Sequence, residues 1–361
     1  MLDIEGSLDI DERAAVDFVS DMRAQWARVL YPALVRQLAA RGSAPRDLPE
    51  ATAALHDLPL YPWFSHLERQ QQKMMWRIAG DAVLRRRDTW AGDLATERPG
   101  PGSLTLDPAI ALPAWYTDVD IHIQPGATYI DDASALMYEM GARVVMLRDN
   151  DGYKFHRLFT ETALPAVTGT TRVVDLGCGF GKSTRPLVDK YPGAEIIGVD
   201  FSAPNLRLAH ASAQEAKLAI DYRQRPAYDT GLEAGSADVV TGTMVLHEMP
   251  AEYIVATLRE AARLVKPGGA IAFLEFSPTG DPFRDATIYE HAERNNEPFF
   301  HDLFGTDSAA VLRAEGLTVR DWTPFDERED GLLTGARPSR PEWHFPWAVL
   351  SAEKPTAEES K

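Results

Sequence analysis

The feature that most constrains this chain is a short apolar run that leads directly into three alternating glycines. The run Val173-Val174-Asp175-Leu176 has the pattern of a buried strand, and it is followed by Gly177-Cys178-Gly179-Phe180-Gly181. Glycines let the backbone turn sharply and approach a ligand, and a helix that follows presents free N–H groups. A second apolar run ends in Asp200, where a carboxylate can bond two ribose hydroxyls. The glycine loop and Asp200 together predict a nucleoside site.

The chain changes character part-way along its 361 residues. From about residue 170, short β-rich runs alternate with helical segments, which is typical of βαβ units and a parallel sheet. The pattern predicts an α/β fold with a doubly wound, mostly parallel sheet of seven strands: Arg172–Leu176, Glu195–Asp200, Ile220–Arg223, Asp238–Met244, Ala270–Phe276, Thr318–Thr323 and Ala348–Ala352. We expect two domains, a mainly helical N-terminal domain over residues 1–155 and a ligand-binding domain over residues 156–361.

Helical periodicity dominates the N-terminal region. Apolar residues recur every three or four positions between Val19 and Leu30, and Pro32 is expected to kink or end that helix. Ser65 and Glu68 have the spacing of a capping box, which predicts a helix start at Ser65. A further helix is expected to begin after Asp131 and Asp132.

Charge and cysteine content narrow the classes of function. The net charge is −17, from 37 basic and 54 acidic residues, and such a field repels nucleic acid and anionic lipid. The single cysteine excludes an intramolecular disulfide, and the nine histidines have no metal-binding spacing, so we expect no metal. No run reaches the roughly 18–20 apolar residues that cross a bilayer, and the first residues are acidic. We expect a cytoplasmic protein without membrane or nucleic-acid partners.

The glycine loop differs from the nicotinamide fingerprint Gly-x-Gly-x-x-Gly, because its spacing is Gly-x-Gly-x-Gly and Asp175 precedes it. With the segments Ser236–Pro250 and Leu258–Gly269, it resembles the class I S-adenosylmethionine-dependent methyltransferases over about residues 170–276, and more weakly to residue 352. The resemblance implies a Rossmann-like sheet, S-adenosyl-L-methionine as cofactor, S-adenosyl-L-homocysteine as product, and direct in-line displacement of the methyl group by an acceptor.

The resemblance also implies positions for the cofactor. It puts Asp175, Gly177 and Gly179 around the aminoacyl end, Asp200 on the ribose, and the two residues after Asp200 beside the adenine. Pro226 stands where many members have an acid that holds the adenine amino group, so adenine contacts are expected from the next two residues. The expected set is Asp175, Gly177, Cys178, Gly179, Asp200, Phe201, Ser202, Ala227, Tyr228 and Thr243, with Cys178 a space-filling residue without a catalytic role.

Candidate catalytic residues follow the fourth predicted strand of the ligand-binding domain. His247 is expected to take a proton from the acceptor, and Glu248 to orient it or to bind a cationic substrate. The alternative is that His247 only packs and Glu248 caps the next helix. Two aromatic-rich segments, 115–129 and 275–304, are expected to cover the acceptor, although they also fit an interface or an amphipathic helix. They supply the pocket candidates His122, Tyr129, Tyr289 and His301.

The leading hypothesis is therefore a methyltransferase that acts on an O, N or other nucleophile of a small metabolite. The N-terminal domain is expected to shape the acceptor pocket or to form a homodimer contact. Two alternatives stay open: a protein or peptide methyltransferase, and a non-catalytic module that binds S-adenosylmethionine. The glycine spacing disfavours a nicotinamide dehydrogenase.

Overall fold

A nine-stranded sheet lies at the centre of the computed structural model, which describes residues 6–95, 99–146, 150–167, 169 and 171–356. The strands are β1 (Ser103–Thr105), β2 (Arg172–Leu176), β3 (Glu195–Asp200), β4 (Ile220–Gln224), β5 (Ala237–Thr243), β6 (Val265–Phe276), β7 (Thr318–Asp326), β8 (Gly331–Leu332) and β9 (Trp347–Glu353). Their order across the sheet is β1-β4-β3-β2-β5-β6-β9-β7-β8.

The predicted α/β class and mostly parallel sheet are confirmed, whereas the predicted count of seven strands is wrong. All seven predicted strands form, and β1 and β8 are added at the two edges. β1 runs parallel to β4, and β8 pairs antiparallel with β7. These two strands have only three and two residues, too few for an alternation pattern to indicate a strand.

The sheet topology creates a binding edge between β2 and β5. From β2 the chain adds β3 and β4 on one side, and it then returns to add β5 and β6 on the other. The pairings among these strands are all parallel, so their carboxyl ends meet at one edge. Ligands of open α/β sheets bind outside such a reversal of strand order. The loops that follow β2, β3 and β5 are therefore the ones that build a site.

Helices of the N-terminal region pack beside this edge. They are α1 (Ile10–Gln25), α2 (Tyr31–Ala39), α3 (Leu48–His56), α4 (Tyr61–Arg85), α5 (Arg87–Ala95), α6 (Ala114–Thr117), α7 (Asp132–Val145) and α8 (Lys154–Ala163). The predicted start of α7 is confirmed, because the Asp131 side chain accepts a hydrogen bond from the Ser134 N–H at 3.0 Å.

Two local predictions in this region have different outcomes. The helical path does not end at Pro32. A π-helical turn, Trp26–Leu30, precedes Tyr31 and Pro32, and the path continues into α2. The predicted capping box is wrong, because α4 begins four residues earlier, with Pro62 in its first turn. Glu68 instead lies buried inside α4, where it pairs with residues of the C-terminal half.

The C-terminal helices are α9 (Arg185–Lys190), α10 (Ala203–Glu215), α11 (Ala251–Leu264), α12 (Pro282–Arg294), α13 (Phe300–Gly305) and α14 (Ser308–Ala314). One apolar core joins the sheet to the N-terminal helices, and in it Trp26 stacks on Phe64 with ring centroids 4.4 Å apart. The division at residue 155 stays a prediction. Among the residues described, no helix has the length and apolar character to cross a membrane.

Candidate active site

The glycine loop after β2 takes the backbone conformation that its sequence predicts. Gly177, Gly179 and Gly181 have φ angles of +69°, +51° and +84°, values that L side chains rarely adopt. A Cβ on Gly177 would lie 2.2 Å from Cγ2 of Val245, whereas a Cβ on Gly179 would meet no described atom within 4 Å. Gly177 therefore permits packing against the segment after β5, and Gly179 borders open space.

Asp200, the last residue of β3, is bonded to this loop. Its Oδ2 accepts the Gly179 N–H at 2.8 Å, and its Oδ1 accepts the Ser202 N–H at 2.8 Å. Burial raises the pKa of Asp200, although backbone hydrogen bonds oppose the shift. The carboxylate thus orients the loop and also faces a cleft, described below.

Asp175 lies beneath the loop. It is fully buried, and its Oδ2 accepts hydrogen bonds from the hydroxyls of Ser183 and Thr184, both at 2.7 Å. Burial raises the pKa of Asp175 to about 6. Its other oxygen, Oδ1, has no hydrogen-bond partner among the described residues. These contacts connect Asp175 to the chain just before α9.

Two cavities meet at the glycine loop. The first, the cleft, has a volume of about 120 Å³ and is lined by Asp200, Phe201, Ala227, Tyr228 and residues of the segment 115–128. The second, the inner cavity, has a volume of about 170 Å³ and extends towards His247, Phe276 and the N-terminal helices. Both are lined by His122, Tyr138, Gly177, Gly179, Met244 and Glu248. A group bound in the cleft therefore has direct access to the inner cavity at these residues.

His247 lies between two carboxylates in the inner cavity. Its Nδ1 is 2.7 Å from Oε2 of Glu275, and its Nε2 is 3.4 Å from Oε1 of Glu248. Glu275 is fully buried, and its Oε1 accepts the Leu246 N–H at 2.6 Å, so the carboxylate holds the imidazole ring in place. Burial opposes the charged imidazole, but the two carboxylates raise the pKa of His247 well above its usual value.

His122 brings the N-terminal region to the same point. Its Nε2 is 3.0 Å from Oε1 of Glu248, and its Nδ1 is 3.2 Å from Oε1 of Glu297. Burial opposes the charged form, but Glu248 and Glu297 raise the pKa of His122 to about 10. His122 and Ile123 have φ angles of +56° and +52°, which are strained for L residues with side chains. The two carboxylates hold this loop over the junction of the cavities.

Comparison with known proteins identifies the domain that carries the cleft. Residues 173–269 match the profile of a family described as a methyltransferase domain. A demethylmenaquinone methyltransferase of Lactococcus lactis subsp. lactis is 35% identical over 158 residues, which are 42% of this chain and 61% of the relative. A ubiquinone biosynthesis O-methyltransferase of Bordetella avium is 30% identical over 152 residues, 40% of this chain and 61% of the relative.

The chain therefore contains a methyltransferase domain and is similar to class I S-adenosylmethionine-dependent methyltransferases. It spans about three fifths of the length of the two curated methyltransferases just described. Among solved structures, an O-methyltransferase family protein from Burkholderia thailandensis is similar, with a TM-score of 0.45 and 18% identity, covering 81% of this chain and 72% of that chain.

Most residues predicted to hold the methyltransferase cofactor lie at the two cavities. Gly177, Gly179, Asp200, Phe201, Ala227 and Tyr228 line the cleft, and Cys178 and Thr243 line the inner cavity. Asp175 and Ser202, both in the described part of the chain, line neither cavity. Asp175 bonds Ser183 and Thr184, and the Ser202 hydroxyl accepts the Asn205 N–H to cap α10 and donates to the Thr128 carbonyl. Burial raises the pKa of Cys178 well above its usual value, so its thiol stays protonated. The predicted cofactor roles of these residues remain predictions.

The four predicted pocket residues separate into two groups. His122 lines both cavities. Tyr129, Tyr289 and His301 are not among the described residues that line either one. The Tyr129 hydroxyl donates to the Thr117 carbonyl, and Tyr289 stacks on His301 at 4.5 Å. The spacing of aromatics along the chain did not show which rings turn inward.

Several lining residues escaped the sequence reasoning. Trp115 contacts Tyr253 and Phe201 at ring-centroid distances of 5.0 and 6.3 Å, and it forms the wall of the cleft opposite the glycine loop. Its Nε1 and the Oδ1 of buried Asn205 have no described hydrogen-bond partner. Both atoms suit an adenine ring, which has donors and acceptors on its edge. An unpaired buried polar atom is visible only in the folded chain.

Substitutions at two loop glycines should separate packing from ligand approach. We expect Gly177→Ala to destabilise the domain by about 2–4 kcal/mol, because the added methyl group overlaps Val245 and the φ angle is positive. Gly179→Ala should cost only about 1–2 kcal/mol in stability, yet weaken S-adenosylhomocysteine binding about tenfold or more by filling the cleft wall. Urea unfolding and calorimetry measure both effects; equal stability losses would contradict the assignment.

The His122 contacts should make stability depend on pH. The pKa of His122 is raised in the folded protein, so its stabilising contribution is complete below the unfolded value near 6.5 and is lost as pH rises towards 10. We expect the melting temperature to fall more between pH 7 and pH 10 in the wild type than in His122→Gln, by about 2–4 °C for each kcal/mol lost. Parallel pH profiles for the two proteins would show that His122 is not charged.

Proposed function

We propose that this protein transfers the methyl group of S-adenosyl-L-methionine to a nucleophile on a small metabolite. The observation that carries the proposal is the junction of the two cavities. The cleft has the glycine loop and Asp200 on one side and aromatic rings on the other. The cleft meets the inner cavity at Gly177, Gly179 and Met244, which line both. A methyl donor in the cleft and an acceptor in the inner cavity meet at that junction.

The cleft fits the proposed cofactor on observations of this chain. Open space at the Cβ position of Gly179 leaves room for close approach of a ligand to the backbone. Asp200 faces the cleft to bond the ribose hydroxyls, and the unpartnered Trp115 Nε1 and Asn205 Oδ1 suit the adenine edge. When bound, S-adenosylmethionine supplies an already activated sulfonium methyl group. The protein therefore acts mainly by positioning, with effective molarities of ~10⁵–10⁸ M as the available scale.

His247 supplies the base in this proposal. Glu275 holds the Nδ1 proton, so Nε2, which faces Glu248 at the longer distance of 3.4 Å, is the atom that takes the proton of an acceptor hydroxyl or amine. An acceptor hydroxyl or amine would replace the weak contact to Glu248 and give its proton to Nε2, and a donor held in the cleft would supply the methyl group. Burial opposes the charged form, but Glu275 and Glu248 raise the pKa of His247, so the resting imidazole is protonated. The sulfonium charge of a bound donor would lower this pKa and favour the neutral ring that accepts a proton.

The lining of the inner cavity favours a small acceptor over a peptide. The rings of Trp76, Tyr138, Phe276, Phe345 and Trp347 surround it, which suits one ring of a small molecule. Small-molecule acceptors also fit the names of the relatives, a demethylmenaquinone methyltransferase and a ubiquinone biosynthesis O-methyltransferase. The cytoplasm as location, the exclusion of nucleic acid and a homodimer contact remain proposals; the net charge of −17 supports the second of them.

Methyl transfer can be tested without knowledge of the acceptor. The purified protein is incubated with S-adenosylmethionine labelled in the methyl group and a metabolite extract, and low-mass products are separated from protein. We expect label in a low-mass compound and equimolar S-adenosylhomocysteine. Cofactor binding without any labelled acceptor would instead support a non-catalytic binding module, and label on protein would support a peptide methyltransferase.

A further inference from the structure

A third cavity continues from the inner cavity to the surface of the N-terminal region. This vestibule has a volume of about 480 Å³ and shares Arg23, Val145, Met146, Asn150, Phe345 and Trp347 with the inner cavity. The cleft shares none of these lining residues among those described. An acceptor thus has an approach of its own, separate from the cleft, and Arg23 lines both the vestibule and the inner cavity.

Arg23 is a buried guanidinium with an incomplete set of partners. The residue is 7% exposed, and its Nη1 donates to Oε1 of Gln72 at 2.8 Å. Among the described residues no carboxylate oxygen lies within 4.0 Å of Arg23, and Gln72 is a neutral acceptor. Burial of an unpaired charge is costly, and a guanidinium normally has an anion or several acceptors in such a position.

The nearest acids are engaged elsewhere. Glu68 pairs with His291 and with Arg294, and Glu297 accepts from His122. They act on Arg23 only through space. The Nε and Nη2 groups of Arg23 form the edge that a carboxylate bonds with two parallel hydrogen bonds, and this edge makes no protein hydrogen bond in the described part of the chain.

The vestibule has the surroundings of an anion site with an aromatic wall. Arg23, Arg28, Lys154 and Arg328 line it with Glu327 and Glu329, and Arg328 also pairs with Glu342 at 2.7 Å, in a protein whose net charge is −17. The rings of Trp343, Phe345 and Trp347 form one wall, with successive centroids 4.8 and 5.3 Å apart. A local excess of positive charge on an acidic protein attracts anions to this opening.

We propose that the acceptor is an elongated carboxylic acid whose carboxylate binds the free edge of Arg23 while its nucleophile lies at His247 and Glu248. The inference rests on the proposed function for the identity of the inner cavity as the acceptor site. Aromatic rings along the wall suit an aromatic or unsaturated body between the two ends. The site distinguishes acids from their neutral analogues, because a neutral analogue leaves the buried guanidinium unpaired.

The test compares acids with matched neutral ligands. A panel of aromatic and straight-chain carboxylic acids, each paired with its carboxamide, is titrated by calorimetry with and without S-adenosylhomocysteine. We expect acids that bind about tenfold to a hundredfold more tightly than their amides, the scale of a charged hydrogen-bond pair. In Arg23→Gln the preference should vanish, while S-adenosylhomocysteine affinity stays unchanged.

Controls separate the outcomes. Arg23→Lys keeps the charge but not the two-point edge, so it should retain part of the preference, and it also serves if Arg23→Gln does not fold. The proposal would be overturned if no acid in the panel bound wild-type protein more tightly than its amide. It would also be overturned if the preference for acids survived in Arg23→Gln. Tighter binding of phosphate monoesters than of carboxylates would also overturn it. Failure of S-adenosylhomocysteine to bind would refute the proposed function but not the acid site, because the acids and amides are also compared in the absence of S-adenosylhomocysteine.

Discussion

Replacing His247 with alanine should lower the methyl-transfer rate about 10²- to 10⁴-fold, the contribution of a positioned general base. The ring is held by Glu275 at 2.7 Å, so a single nitrogen is left to face the acceptor. S-adenosylhomocysteine affinity should change less than about threefold, because His247 lines the inner cavity and not the cleft. Stopped-time assays with labelled methyl donor measure the rate, and calorimetry measures the affinity.

A matched control lies in the same half of the chain. His301 was also a candidate from the sequence, but its ring stacks on Tyr289 and its side chain is 55% exposed. His301→Ala should therefore keep the wild-type rate. An unchanged rate in His247→Ala on the true acceptor would make His247 a packing residue, and a loss of S-adenosylhomocysteine binding would place it in the cleft instead.

Replacing Asp200 with alanine should weaken S-adenosylhomocysteine binding by about a hundredfold or more. The carboxylate bonds the Gly179 and Ser202 N–H groups, both at 2.8 Å, and faces the cleft. Removal of the carboxylate leaves these two donors unpaired, and it also removes the acceptor for the ribose hydroxyls. Each hydrogen bond to a charged group contributes about 1.5–3 kcal/mol. Calorimetry with S-adenosylhomocysteine gives the dissociation constants.

Two companion variants make the Asp200 result specific. Asp200→Asn keeps one carbonyl acceptor without the charge, so its affinity should fall between those of wild type and Asp200→Ala. Asp189→Ala removes an acid whose side chain is 73% exposed, and it should bind like the wild type. Affinity within twofold of wild type in Asp200→Ala would exclude Asp200 from the cofactor site.

The parts of the fold and site that sequence predicts are those encoded locally. β2, β3, β5 and most of β6 are apolar runs, and β4 alternates apolar and polar residues, so these strands need no distant partner to be recognised. Gly177, Gly179 and Asp200 belong to one βαβ unit. His247 and Glu248 follow β5 directly, so the topology alone places them at the binding edge. Their position could be derived because parallel strands end on one side.

The remaining site residues depend on contacts between distant segments. Glu68 meets His291 across 223 positions, and His122 meets Glu297 across 175. Glu275 lies near the end of the apolar strand β6, and the hydrophobic pattern of that strand gives no sign that Glu275 bonds His247. Arg23 lies on an ordinary amphipathic helix, and its missing carboxylate partner is a property of the packed molecule. Periodicity indicates which face of a helix is buried, but it does not show what that face meets.

A structure with S-adenosylhomocysteine bound tests the central claim most directly, namely that donor and acceptor meet where the two cavities join. The account predicts the adenosine in the cleft between Asp200 and Trp115, with the sulfur beside Gly177 and Met244 and its missing methyl directed towards His247 and Glu248. A sulfur directed away from the inner cavity, or a ligand bound outside the cleft, would contradict it.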